Sequence, residues 1–121
     1  MTTPILSITE LANGQVDQFA TCNEMVRSLE SATQDFLVVD LTAANATITA
    51  ANFKKYFMFR CSGHTVARDF TLQASKRFFC VHNLGTATLS IKLGTTTLTL
   101  ATTLSGFYYA DGTANGLMKI G

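Results

Sequence analysis

The stretch YFMFRC at residues 56–61 is apolar on both alternating faces apart from one arginine. A short run of this kind, rich in aromatic side chains, is typical of a strand that has sheet neighbours on either side and is covered on both faces. The stretch RFFCV at residues 77–81 has the same two-sided pattern. These two stretches therefore predict the central strands of a β-structure.

Shorter runs on both sides of these strands alternate between apolar and polar residues. Leu89, Ile91 and Leu93, for example, alternate with threonine, serine and lysine. Asp111-Gly112, between two such runs, is a strong hairpin signal. Strands at intervals of about 8 to 12 residues, with no βαβ alternation, predict a mainly β fold with a β-sandwich or jelly-roll-like domain. The predicted strands comprise residues 36–41, 46–50, 56–61, 68–74, 77–81, 88–93, 97–100, 107–109 and 117–120.

An apolar stripe at helical spacing precedes the strands. Thr21-Cys22-Asn23-Glu24 matches a capping box, which predicts that one short α-helix begins at Thr21. A helix of about 12 residues is marginal in water by itself. The stripe therefore lies against the sheet of its own chain or meets copies of itself at a symmetry axis, in which case Met25, Val26 and Leu29 form the oligomer interface. The stripe consists of Cys22, Met25, Val26, Leu29 and Ala32.

The segment before this helix is interpreted as an extended arm. Residues 4–18 contain a turn signal at Asn13-Gly14 and only a weak apolar spacing. An apolar terminal segment is usually docked on a surface, because undocked termini tend to be polar and frayed. The chain is thus predicted to divide into an N-terminal arm and helix, residues 1–35, for attachment and oligomerisation, and a β-sandwich domain, residues 36–121.

The composition narrows the range of functions. The 121 residues are 47% hydrophobic but only 14% charged, with a net charge of +1, whereas ordinary globular chains are roughly 25% charged. This balance gives no electrostatic attraction to nucleic acid or to an anionic membrane. No stretch is long and apolar enough to span a membrane, and no signal peptide is recognisable, so synthesis in a cytoplasm is expected. Few charges favour a threonine-covered surface or burial within an assembly.

Two thiols and two imidazoles provide the ligand types of a zinc site. Cys61 and His64 form one pair, and Cys80 and His82 the other. Their spacing matches no known finger or ribbon pattern, and both cysteines lie inside apolar runs that core packing explains. The three cysteines, including Cys22, are therefore interpreted as free buried thiols, and no metal is expected.

The sequence contains no recognisable catalytic motif. No serine lies in a nucleophile elbow, and no phosphate-binding loop occurs. Asp69, beside Arg68, is expected in a strand entry or surface pair, and Asp111 in a turn. The chain is thus predicted not to be an enzyme and to need no cofactor.

Most of the aromatic residues are expected in the core. Tyr108 and Tyr109 are the ones most expected to face outward, because a phenol favours a polar partner. They are therefore the candidate ligand-facing residues, and a sugar that stacks on their rings is the candidate ligand.

Two groups of residues resemble a known family. Gly14-Gln15, Thr21-x-Asn23-Glu24 and Leu29 resemble the N-terminal module of tail-fibre and head-fibre proteins of phages and gene-transfer agents. The chain departs from that pattern at residues 17–19, where the family tends to have Gln-Lys-His, and at Met25, where alanine is usual.

The second group lies in the predicted β-domain. The strand beginning at Phe78-Phe79-Cys80-Val81-His82-Asn83 and the later Tyr109-Ala110-Asp111-Gly112-Thr113 resemble the small β-domain of phage fibres, in which an F-x-V-x-N strand leads to a final Y-x-D-G-T.

The resemblance implies a structural protein of a phage virion. It implies a homotrimer, a short fibre or adaptor, that attaches to the capsid, the portal and neck or the tail through Gln15, Thr21, Asn23 and Glu24. A capsid decoration protein and a receptor-binding module for host glycan are the alternatives.

Overall fold

The computed structural model describes residues 2–10 and 18–121 and is mainly β, as predicted. The helices and strands are α1 (Gln18–Gln34), β1 (Phe36–Asp40), β2 (Ala46–Thr47), α2 (Ala50–Lys55), β3 (Met58–Ser62), β4 (Arg68–Thr71), β5 (Lys76–Asn83), β6 (Leu89–Leu93), β7 (Thr96–Leu100), β8 (Ser105–Asp111) and β9 (Leu117–Lys119).

The strands form two sheets that enclose one core. The five-stranded sheet has the order β1-β3-β5-β8-β9, and the four-stranded sheet has the order β2-β4-β6-β7. The first six strands alternate between the sheets, so neighbours within a sheet run parallel. The last three strands pair antiparallel: β7 with β6, β8 with β5, and β9 with β8. The two-sheet arrangement is sandwich-like, whereas the parallel pairs distinguish it from jelly rolls, which are antiparallel.

Aromatic rings fill the space between the sheets. Phe59 of β3 and Phe70 of β4 lie on opposite sheets, and their ring centroids are 5.7 Å apart. Phe53 of α2 packs edge-on against Phe79 of β5, at a centroid distance of 5.2 Å. All four side chains are fully buried. The two-sided runs at residues 56–61 and 77–81 therefore provide central strands, as predicted.

The helices differ from the prediction. The helix α1 begins at Gln18, so Thr21 has helical neighbours on both sides and is not the cap residue; the prediction that the helix starts at Thr21 is wrong. The predicted strand at residues 46–50 is only two residues long and leads into α2. Thr49 caps α2, because its Oγ1 accepts a hydrogen bond from the backbone N–H of Asn52 at 3.1 Å.

Helix α1 packs mainly beside α2 and does not lie across a sheet. The residue after α1 joins the helix to the sandwich, since the Asp35 carbonyl accepts hydrogen bonds from the backbone N–H groups of Phe57 at 2.9 Å and Met58 at 3.2 Å. Both outer sheet faces are therefore left without a helix across them in the described part of the chain.

Candidate interaction surfaces

The outer face of the five-stranded sheet is apolar and rich in aromatic residues. Alternation along each strand directs Phe59, Phe79 and Tyr108 inward and their neighbours outward. We call the outward-facing apolar set the aromatic face. It consists of Phe36, Val38, Met58, Phe78, Cys80, Phe107, Tyr109, Met118 and Ile120.

Strand register joins these side chains into one continuous surface. Phe78 stacks on Phe107 with 5.4 Å between ring centroids and an interplanar angle of 17°, and its centroid lies 4.6 Å from that of Tyr109. Several members are half exposed, with exposed fractions of 45% for Phe36, 56% for Val38 and 51% for Phe78. One level of the sheet holds Phe36, Met58, Cys80 and Phe107, and another holds Phe78, Tyr109 and Met118.

Charged groups border the aromatic face in equal numbers of each sign. Arg60 lies over the ring of Phe36, with its guanidinium carbon 4.9 Å from the ring centroid. Asp40, on the same face of β1, accepts hydrogen bonds from the Thr42 backbone and hydroxyl, and these bonds hold its pKa below the ordinary value. At the opposite end, Lys76 is paired in register with Asp111.

The outer face of the four-stranded sheet is different in kind. Asp69 of β4 and Lys92 of β6 form an ion pair at 2.9 Å on this face. The remaining outward side chains are hydroxylic. They include Thr47, Thr71, Ser90, Thr97 and Thr99. The sandwich therefore has one polar and one apolar outer face.

The apolar stripe of α1 is only partly covered. Ala32 is buried and Met25 half-buried, but Val26 is 65% exposed and Leu29 is 53% exposed. Cys22, in the first half of the helix, is exposed, not buried as predicted.

The predicted attachment residues that the structure describes lie on α1. Asn23 and Glu24 are exposed on α1, Thr21 is half-buried, and Gln15 lies outside the described residues. Glu24 lies at a cleft of about 610 Å³ between α1, α2 and the N-terminal residues 6–8. Three cationic side chains, Arg27, Lys54 and Lys55, line the same cleft. This cleft was not predicted from the sequence, in which the adjacent pair Lys54 and Lys55 was its one visible signal.

Tyr108 does not face outward, which corrects the prediction for this residue. It is fully buried, and its ring stacks on Phe79 with 5.6 Å between centroids. Gly106 leaves the space for the ring, since a Cβ there would lie 2.7 Å from the ring atom Cε2 of Tyr108. Burial raises the pKa of the Tyr108 hydroxyl, which has no hydrogen-bond partner among the described residues. Tyr109 is half-buried and belongs to the aromatic face.

The cysteines and histidines considered for zinc point in different directions. Cys61 faces the core, and burial raises its pKa to about 12. His64 is buried against Gly85, whereas Cys80, which is half-buried and not fully buried as predicted, lies with His82 on the outer side of β5. Among residues 2–10 and 18–121, no three His, Cys, Asp or Glu side chains come together as a metal-binding group.

The acidic residues considered for catalysis have structural contacts. Asp69 forms the surface pair with Lys92, and Asp111 Oδ1 accepts hydrogen bonds from the Thr113 N–H at 2.9 Å and hydroxyl at 2.6 Å.

In the described part of the chain, no helix combines the length and the apolar character needed to cross a bilayer.

The chain matches no known protein-family model, no curated protein and no solved structure at a significant level of similarity.

Proposed function

We propose that this chain is a structural protein of a bacteriophage particle, a homotrimeric short fibre or adaptor that attaches through its N-terminal segment to the capsid, the portal and neck or the tail. The observation that carries the proposal is the aromatic face, an apolar sheet surface that the described chain leaves uncovered.

Contiguous apolar surface of this kind is typical of an interaction site. The largest apolar patch of a soluble monomer is usually about 300–600 Å² and is often functional. Here the opposite face carries threonines and an ion pair, so the apolar character is confined to one side of the molecule. A subunit that meets neighbours on one side and solvent on the other has this asymmetry.

The N-terminal part supplies a separate surface for attachment. The exposed residues Val26 and Leu29, together with the cleft beside Glu24, lie on the helical part of the chain. A fibre or adaptor needs two surfaces, one for its own copies and one for the particle. The phage context itself comes from the resemblance of Thr21-x-Asn23-Glu24 and of residues 109–113 to phage fibre proteins.

The oligomeric state tests this proposal directly. Size-exclusion chromatography with light scattering should give three times the chain mass of 13.1 kDa at micromolar concentration. Electron microscopy of phage particles that carry a tagged copy of the chain should then locate the tag on the capsid, neck or tail. A monodisperse monomer, or particles without the tag, would contradict the proposal. A tag spread over the whole capsid lattice would favour the decoration protein.

A glycan-binding module is the second candidate. The contacting rings of exposed Phe78 and half-buried Tyr109 favour it, because sugars bind on aromatic rings. This reading predicts that Tyr109→Ala abolishes binding on a glycan array, whereas Tyr108→Phe, a change inside the core, leaves it intact. Wild-type protein that binds no glycan, or Tyr109→Ala protein that binds as well as wild type, would exclude it.

A further inference from the structure

We infer that identical copies of this chain contact one another through the aromatic face, centred on Phe78, Cys80 and Phe107, and not through the exposed stripe of α1. The inference rests on the proposed homotrimer and specifies which surface builds it. It also departs from the sequence-based expectation that Met25, Val26 and Leu29 form the oligomer interface.

The aromatic face offers more exposed apolar area than the α1 stripe. At about half exposure, large apolar side chains each present on the order of 100 Å². The strongly exposed members of the aromatic face, five in all, therefore present roughly 400–500 Å², and half-buried neighbours such as Met58 and Tyr109 add to this. A stable interface needs about 800 Å² per partner, including its polar rim. Among the described residues, the α1 stripe offers two large side chains at comparable exposure, Val26 and Leu29, and the smaller Cys22.

The charges on the aromatic face favour a copy of the same chain as the partner that binds there. The aromatic face carries two cations, Arg60 and Lys76, and two carboxylates, Asp40 and Asp111. A face of one sign would repel its own copies around a three-fold axis, whereas a face with both signs lets the cations of one copy meet the carboxylates of the next.

The ionisation of these carboxylates strengthens the charge argument. Hydrogen bonds from Thr42 and Thr113 favour the charged forms of Asp40 and Asp111. The guanidinium of Arg60 covers the ring of Phe36. Charge pairing between copies therefore persists at neutral pH.

Within the described residues, no helix lies across the aromatic face. Helix α1 packs mainly beside α2, and Phe53 of α2 packs on the inward-facing ring of Phe79. Cys80, in the middle of β5 and half-buried, marks the centre of the face, while Cys22 marks α1 and Cys61 marks the core. The chain thus contains a reporter thiol in each of the three places.

Three matched variants test the inference by light scattering. Phe78→Asp places a charge in the centre of the aromatic face, Val26→Asp does the same on the α1 stripe, and Thr99→Asp on the polar outer face. We expect Phe78→Asp to weaken association roughly tenfold or more, as the loss of a central contact does. The other two variants should keep the wild-type mass.

A second measurement does not depend on any variant folding. Maleimide labelling of wild-type protein, read by mass spectrometry, is compared above and below the concentration at which copies associate. Cys80 should react several-fold more slowly in the associated state, while Cys22 reacts equally in both. Both labelling rates are measured on the same wild-type protein. Burial of Cys80 within its own chain therefore slows both rates equally and does not affect their ratio.

The outcomes separate the inference from the proposed function. Wild-type protein that remains monomeric at all concentrations overturns both. Trimers that persist in folded Phe78→Asp protein, or that are lost in Val26→Asp alone, overturn the inference and leave the homotrimer standing. If Phe78→Asp does not fold, equal Cys80 labelling in trimer and monomer overturns the inference, and protection of Cys80 supports it.

Discussion

Arg77 of β5 donates a hydrogen bond from Nη2 to the backbone carbonyl of Ala32 at 2.9 Å, across 45 residues of sequence. The same guanidinium donates from Nη1 to the carbonyl of Phe53 at 2.6 Å. Ala32 lies in the last turn of α1 and Phe53 in the last turn of α2, where carbonyls have no partner within the helix. One buried side chain therefore completes the C-terminal ends of both helices and fastens them to the sheet, although burial lowers the pKa of Arg77 to about 10.

Replacing this arginine should be strongly destabilising. Arg77→Met keeps much of the apolar stem but leaves two buried carbonyls without a donor, so we expect the free energy of unfolding to fall by about 2–4 kcal/mol. Urea denaturation followed by circular dichroism measures the loss. Lys119→Met, at an exposed position of β9, is the matched control and should change stability little. Equal stability of the two variants would show that the guanidinium does not hold the helices.

The core strands could be predicted from the sequence, because an apolar run is a local pattern. Phe59 and Phe79 lie in two-sided apolar runs, and both are fully buried in central strands. The turn at Asp111-Gly112 could also be predicted. Gly112 has a φ of +88°, a conformation that favours glycine, and the Asp-Gly pair signals such a turn. Alternation gives the face of a side chain but not the partner of its strand, so the parallel pairing of the first six strands was not predictable.

The remaining differences arise where long-range contacts decide the outcome. Tyr108 and Tyr109 are chemically alike, and the register of β8 with β5, together with the space beside Gly106, determines which ring is buried. The helix α2 is six residues long, too short for a helical period to be visible, and Asn52 gave no capping-box signal. Arg77 appeared as an ordinary strand residue, because the carbonyls it binds are distant in sequence.

The cap of α2 can be tested separately. Thr49→Ala removes the oxygen that accepts from the Asn52 N–H, and the loss should lower the free energy of unfolding by about 1 kcal/mol. Thr49→Ser keeps a hydroxyl in the same place and should recover most of that loss in the same urea titration. A Thr49→Ser protein as unstable as Thr49→Ala would assign the effect to the lost methyl group.

The hydroxyl of Tyr108 should contribute nothing to stability. Its oxygen is buried without a partner among the described residues, so Tyr108→Phe removes an uncompensated polar group and should be neutral or stabilising within about 1 kcal/mol. Tyr108→Ala, which also removes the ring stacked on Phe79, should cost about 3–5 kcal/mol. Thermal unfolding of the two variants beside wild type separates the contributions of ring and hydroxyl. A marked loss in Tyr108→Phe would reveal a hydrogen bond to the phenol.

Acid should weaken the fold through two equivalent turns. Asp40 and Asp111 each accept from the N–H and the hydroxyl of the threonine two residues later, and these bonds lower both pKa values below 3.8. In the unfolded chain both carboxyls regain the ordinary value and bind protons more readily. Their contribution is therefore complete above about pH 4 and is lost as the pH falls through the lower, folded pKa values.

The threonines give the variant that isolates this effect. The double variant Thr42→Val and Thr113→Val removes both hydroxyl donors and lets the two folded pKa values return toward 3.8. Urea midpoints measured from pH 6 to about pH 2.5 should fall less steeply in this variant than in wild type in the acid range, because the difference in proton binding between folded and unfolded chains becomes smaller. Identical pH dependence in the two proteins would mean that other carboxyls govern the acid sensitivity of the fold.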